Sequence, residues 1–201
     1  DIAWSYSNKG FFRNAGGFLK DLFAGRWSKL TKRTNVLSGK QKDPFDAYNW
    51  MDALHEKHNL KPFYFFPVAE KTSKYDKNIS PYNFEYRDLI KKCSSKYKIG
   101  LHPSWQSGDE KVLTGSEKKI LGKITGQMIE NSRQHFIRFT LPETYRQLIR
   151  YEIKNEFSMG YGSINGFRAS VASPFYWYDL EKEETTQLRV HPFCFMDANS
   201  F

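Results

Sequence analysis

Among the side chains able to do chemistry, His102 has the most suggestive position. The stretch "KYKIGLHPSW" is a short apolar run that stops on an imidazole and is followed at once by Pro103. An imidazole at such a place can ligate a metal or simply satisfy a hydrogen bond in the interior, and the residue type leaves both open. Asp1 in "DIAWSY", Arg138 in "HFIRF" and Ser158 in "EFSMGY" also stand at or near the ends of apolar runs. Several polar groups at equivalent run ends carry more weight than any one of them.

Other motifs are set aside. "DALHEKHN" places His55 and His58 three residues apart, on one helical face, but HExxH requires four, so a solvated helix end is expected. Cys93 and Cys194 fit neither a CxxC spacing nor a disulfide framework. The chain has no GxSxG elbow, phosphate-binding loop or GxGxxG run.

The elements that must position these groups alternate in type. "NKGFFRNAGGFLKDLFAGRW" has Phe18, Leu19, Leu22 and Phe23 at helical spacing, and "SKLTKRTNVLSGKQKDP" has the composition of a connector. A helix is expected over "FDAYNWMDALHEKHNL", a buried strand over "KPFYFFPVA", then helix "YNFEYRDLIKKCSSKY" and strand "KIGLH". "TGSEKKILGKITGQMIENS" follows as a helix with Thr114 and Glu117 spaced as a capping box, then strand "HFIRF" and helix "LPETYRQLIRYEI". "EFSMGY", "GFRAS" and "LRVHPF" complete the set as strands. Such alternation predicts one α/β domain over residues 1–201 with a parallel sheet, open or closed into a barrel, and a site at the carboxyl ends of its strands.

Composition narrows the partners. Lys and Arg number 31 against 22 Asp and Glu, a net charge of +9, and aromatics make up 17% of the 201 residues. Both biases suit a nucleic-acid binder. The lysines, however, are scattered over "EKTSKYDK", "KKCSSKYK" and "GSEKKILGK", where solvation is the ordinary role, so no nucleic-acid partner is expected. No run approaches the ~18 apolar residues of a membrane span. The chain starts without methionine and ends abruptly, and it reads as a piece of a longer protein; its compartment is left unassigned.

Taken together, "DIAWSY", "IGLHPSW", "RQHFIRFTLPETYRQL", "EFSMGYGSINGFRASVASPFYWYDLE" and "VHPFCFMD" resemble the polysaccharide deacetylase superfamily, the NodB-homology or carbohydrate esterase family 4 domain, in an uncharacterised bacterial branch. The resemblance implies a distorted (β/α) barrel with a divalent metal, usually zinc, at its mouth. It also implies a hydrolase that removes acetyl groups from an N- or O-acetylated polysaccharide by a metal-activated water. On this chain it makes Asp1 the base or a metal ligand, His102 a ligand and His135 a replacement ligand. Arg138, ahead of Arg133, would hold Asp1, and His191 would be the general acid, with Asp197 as a competing match. Arg168 would contact an anion or sugar, and Trp4, Tyr6 and Trp105 would stack on sugar rings. Two departures stand out. The second carboxylate expected just after Asp1 is replaced by Ile2 and Ala3, and the second histidine expected four residues after His102 is Gln106. They leave open a carbohydrate-binding or structural module that kept the fold and lost the chemistry.

Overall fold

The computed structural model describes residues 3–71 and 73–197. Asp1 therefore lies outside the described residues. The chain opens with helices α1 (Phe11–Phe23), α2 (Trp27–Leu37) and α3 (Tyr48–Lys57). Strand β1 (Phe63–Phe66), helix α4 (Phe84–Lys96), strand β2 (Lys98–Leu101), helix α5 (Lys111–Thr125) and strand β3 (Asn131–Ser132) follow. Helix α6 (Glu143–Arg150), strand β4 (Asn155–Glu156) and the pair β5 (Phe175–Asp179) and β6 (Glu184–Val190) finish the described chain.

The six strands form a sheet in the order β1-β2-β3-β4-β6-β5, parallel except for β5, which runs antiparallel to β6. The first four strands neighbour one another in chain order, as in a barrel and unlike a doubly wound sheet. Yet no described pairing joins β1 to β5, so the sheet is open among the described residues where the resemblance implied a barrel. Two apolar clusters flank it. One gathers Phe66, Tyr86, Ile90, Leu101 and Leu121 with Ala3 and Trp4, and the other gathers Tyr145, Leu148, Trp177, Leu188 and Val190.

Local chemistry explains several boundaries. Asn83 caps α4 by accepting the Tyr86 N–H at 2.9 Å, and α5 ends on Gly126 in the left-handed region at φ 70°. The capping box expected at Thr114 and Glu117 is absent because α5 begins three residues earlier. Thr114 instead accepts the Gln147 side-chain amide, and Glu117 accepts the Ser104 N–H. The expected connector is helix α2, whose buried Leu30 and Val36 are too sparse to announce it.

"HFIRF" is not a strand. β3 stops at Ser132, and Phe136 and Ile137 take φ of 55° and 49°, which no strand contains. "GFRAS" forms turns, whereas "FYWYD" is a strand that alternation did not suggest.

Asp43 fixes the amino-terminal loop. Its carboxylate accepts the N–H groups of Ser5, Tyr6, Ser7 and Phe45 at 2.7–3.0 Å. Burial pushes this carboxyl up, but the four donors outweigh it and hold its pKa below the usual range. Asp43→Ala, which strands these donors, is expected to destabilise the fold by roughly 2 kcal/mol, checked by urea unfolding. An unchanged midpoint would show that water replaces the carboxylate without loss.

Candidate functional site

The carboxyl end of the parallel sheet carries a histidine pair. β2 delivers His102, whose N–H continues the ladder by donating to the Phe66 carbonyl at 3.0 Å. His135 comes from the turn after β3, and the two ring centroids are 4.8 Å apart. Both rings line a cleft of about 590 Å³ with Asp76, Tyr75, Phe136 and Lys74.

The tautomers follow from the partners. His102 Nδ1 lies 2.6 Å from the Arg133 carbonyl oxygen, which can only accept, so Nδ1 holds the proton and Nε2 presents a lone pair. Burial, then the neighbouring His135 ring, depress the His102 pKa to about 4, so this ring is neutral at physiological pH. His135 Nδ1 faces Asp76 Oδ1 at 3.0 Å, the carboxylate–imidazole arrangement that orients a base or a ligand. Each imidazole is thus anchored through Nδ1, and Nε2 carries its chemistry.

Asp76 is the hub. Buried, it also accepts the Trp105 N–H at 2.7 Å and the Ser73 hydroxyl at 2.9 Å. One carboxylate therefore ties the loop before α4, the segment after β2 and the turn after β3 into one framework. The left-handed Phe136 and Ile137 beside it cost about 1–3 kcal/mol each. The flanks hold them in place, because Gln134 N–H donates to Ser158 Oγ at 2.7 Å and Arg138 donates to the Trp105 carbonyl at 3.0 Å.

The remaining expected site residues are dispersed. Arg138 is committed to Asp109 at 2.6 Å and lies over the Trp105 ring at 4.0 Å. The Trp105 ring also stacks on Tyr75 at 4.6 Å, next to the cleft. His191 stacks on Phe157 at 4.4 Å, and its Nε2 meets Asn155 Oδ1 at 2.9 Å, away from the residues that line the cleft. Arg168 covers Phe139, Tyr6 lies under Arg33, and Trp4 is buried in the core. Among the described residues only His102 and His135 of the expected set share the cleft lining.

Asp76 escaped the sequence reading. It stands in lysine-rich "EKTSKYDK", and only the Ser-x-x-Asp spacing of Ser73 and Asp76, which closes a hydrogen-bonded turn, could have marked it.

For the implied metal, the fit falls short. The pair supplies two nitrogen donors, whereas a zinc site takes at least three protein ligands. No group of three His, Cys, Asp or Glu able to hold an ion occurs among the described residues, and Asp1, the expected further donor, lies outside them.

Fold and site together define an α/β protein with a mostly parallel sheet and a histidine pair at its carboxyl edge. No protein-family profile matches the chain, and no curated protein does. Among solved structures it is similar to a provisionally assigned polysaccharide deacetylase from Mycobacterium smegmatis, at 11% identity and a TM-score of 0.48. The likeness covers 87% of this chain and 53% of the other, so the chain spans about half of that protein's length. Similarity of this degree leaves fold and site to be argued from the chain's own residues.

Proposed function

We propose that the chain is a hydrolytic domain of the polysaccharide deacetylase type, acting on an acetylated glycan through His102 and His135. The observation that carries this reading is the pair of Nδ1-anchored imidazoles sharing one cleft at the strand ends. The neutral His102 accepts a hydrogen bond from the attacking water at Nε2. His135, its positive charge compensated by Asp76, takes up the proton and returns it to the leaving amine or alkoxide. Rings this close do not both ionise readily, which keeps His102 an acceptor while His135 cycles. Tyr75 and Phe136 offer aromatic faces to the sugar.

The test is acetate release from acetylated chito- and xylo-oligosaccharides by the full-length protein, with zinc or chelator added. His135→Ala is expected to lower kcat/KM by at least about 100-fold while glycan binding is retained. The two-donor count favours one other reading, a glycan-binding module without turnover. Chelator-insensitive binding with no acetate release under any condition would establish that module and sink the hydrolase.

A further inference from the structure

Helix α1 is amphipathic in the reverse of the usual sense. Its polar side is inside: Asn14 and Asp21 are 9% and 6% exposed, and both bind Arg33 of α2, at 3.1 and 3.0 Å. Gly17 lies between them, and a Cβ there would stand 2.7 Å from the Arg33 guanidinium, so α1 and α2 close on a buried ionic seat. The apolar side faces out. Phe11, Phe12 and Phe23 are 79%, 89% and 87% exposed, Leu19 is half exposed, and Trp27 at the start of α2 is 68% exposed. Residues in one folded domain do not ordinarily leave such a stripe to water.

Charge indicates what covers it. Residues 9–42 hold nine Lys and Arg against one Asp, a surplus of eight, while the rest of the chain accounts for only one of the net +9. Lys20, Arg26, Lys29, Lys32, Lys40 and Lys42 are all exposed. Aromatic and leucine side chains set among cations are the composition of a helix that lies in the interface of an anionic bilayer, its rings at the acyl boundary and its cations at the phosphates. A nucleic acid would use the charge and leave the phenylalanine stripe uncovered. No described helix is long and apolar enough to cross a membrane, so the contact is with the surface.

We infer that the α1–α2 hairpin is a docking surface for an anionic lipid membrane, which it enters with Phe11, Phe12, Phe23 and Trp27. This goes beyond the hydrolytic reading and does not depend on it, because its readout is partition onto vesicles and involves no turnover. The full chain would be sedimented with vesicles of phosphatidylcholine alone or with one third phosphatidylglycerol. The expected result is binding to the anionic vesicles that falls at least tenfold on vesicles of phosphatidylcholine alone or in 0.5 M salt. Phe12→Ser with Phe23→Ser should lower it at least tenfold with the circular dichroism spectrum unchanged. A Lys29→Glu, Lys32→Glu pair, which leaves the stripe intact, should weaken it comparably. Three results would overturn the inference: no sedimentation with either vesicle, equal binding to both that ignores salt, or a dimer without vesicles that the phenylalanine changes dissolve. Salt-sensitive binding to DNA or RNA without binding to vesicles would equally overturn it.

Discussion

Gly100→Ala is expected to lower the unfolding free energy by roughly 3 kcal/mol, although it adds a single methyl group. Gly100 sits inside β2, between β1 and β3, in register with Phe65. A Cβ at this position would lie 2.5 Å from the Phe65 ring and 2.8 Å from the Asn131 carbonyl oxygen. The ring can turn, but the carbonyl belongs to the backbone of the next strand, so relief requires β2 and β3 to part. Those strands carry His102 and the turn to His135, and the same variant should also disturb the imidazole pair. Gly16, with open space around it in α1, provides the contrast. Gly16→Ala is expected to stabilise by about 0.5–1 kcal/mol, since alanine is the better helix former. Urea unfolding checks both, and comparable midpoints for the two variants would refute the close-approach argument.

His102 should make the fold acid-sensitive by about 3 kcal/mol. Its folded pKa is depressed to about 4, first by burial and then by His135, from an ordinary value of about 6.5. Between those limits the unfolded chain binds a proton that the folded chain excludes. Stability from this group is therefore complete above about pH 6.5, falls as the pH drops through the window, and is exhausted near pH 4. The charged and titratable groups facing the ring are His135, the Arg133 guanidinium and Asp76; the Arg133 carbonyl and then Asp76 favour the charged form, and burial with the two cationic neighbours outweighs them. The clean measurement is the difference in unfolding free energy between the native chain and His102→Gln at pH 7 and pH 4.5, in which contributions common to both, such as Asp43, cancel. The native chain should lose most of about 3 kcal/mol relative to the variant. Parallel profiles would mean that His102 is wet and ordinary.

What was legible in the sequence was the part written in periodicity. The strands at "FYFF" and "KIGL", the helices between them and the place of His102 just past β2 all follow from apolar runs with clear ends. Three features lay beyond that signal. α2 is held by two widely spaced apolar residues and the Arg33 ion pair, and ion pairs leave no periodic trace. "HFIRF" has the composition of a strand, but its backbone is bent into the left-handed region by bonds to Asp76, Ser158 and Trp105, all distant in sequence. Asp76 was masked by the lysines around it. Apart from the Ser73–Asp76 contact, then, the hydrogen bonds that build the site join residues 24 to 59 apart in the chain, which composition does not encode.

The two apolar clusters have a consequence for how the protein yields. Among the described residues, β3 and β4, each of two residues, are the ladder that joins the half built on β1 and β2 to the half built on β5 and β6. Across that seam run polar stitches, Gln134 N–H to Ser158 Oγ, the Arg133 guanidinium to the Phe157 carbonyl and the Phe157 N–H to the Ser132 carbonyl, and one aromatic contact, the Phe157 ring against Phe63 and Phe65 of β1 at 4.8 and 5.2 Å. A sheet with a core on either side and so short a ladder between them is expected to open first at that ladder, which hydrogen exchange of β3 and β4 would register. The segment that makes the stitches also carries His135. A ligand held by the histidine pair is therefore expected to tighten the joint and to couple the opening of its two sides.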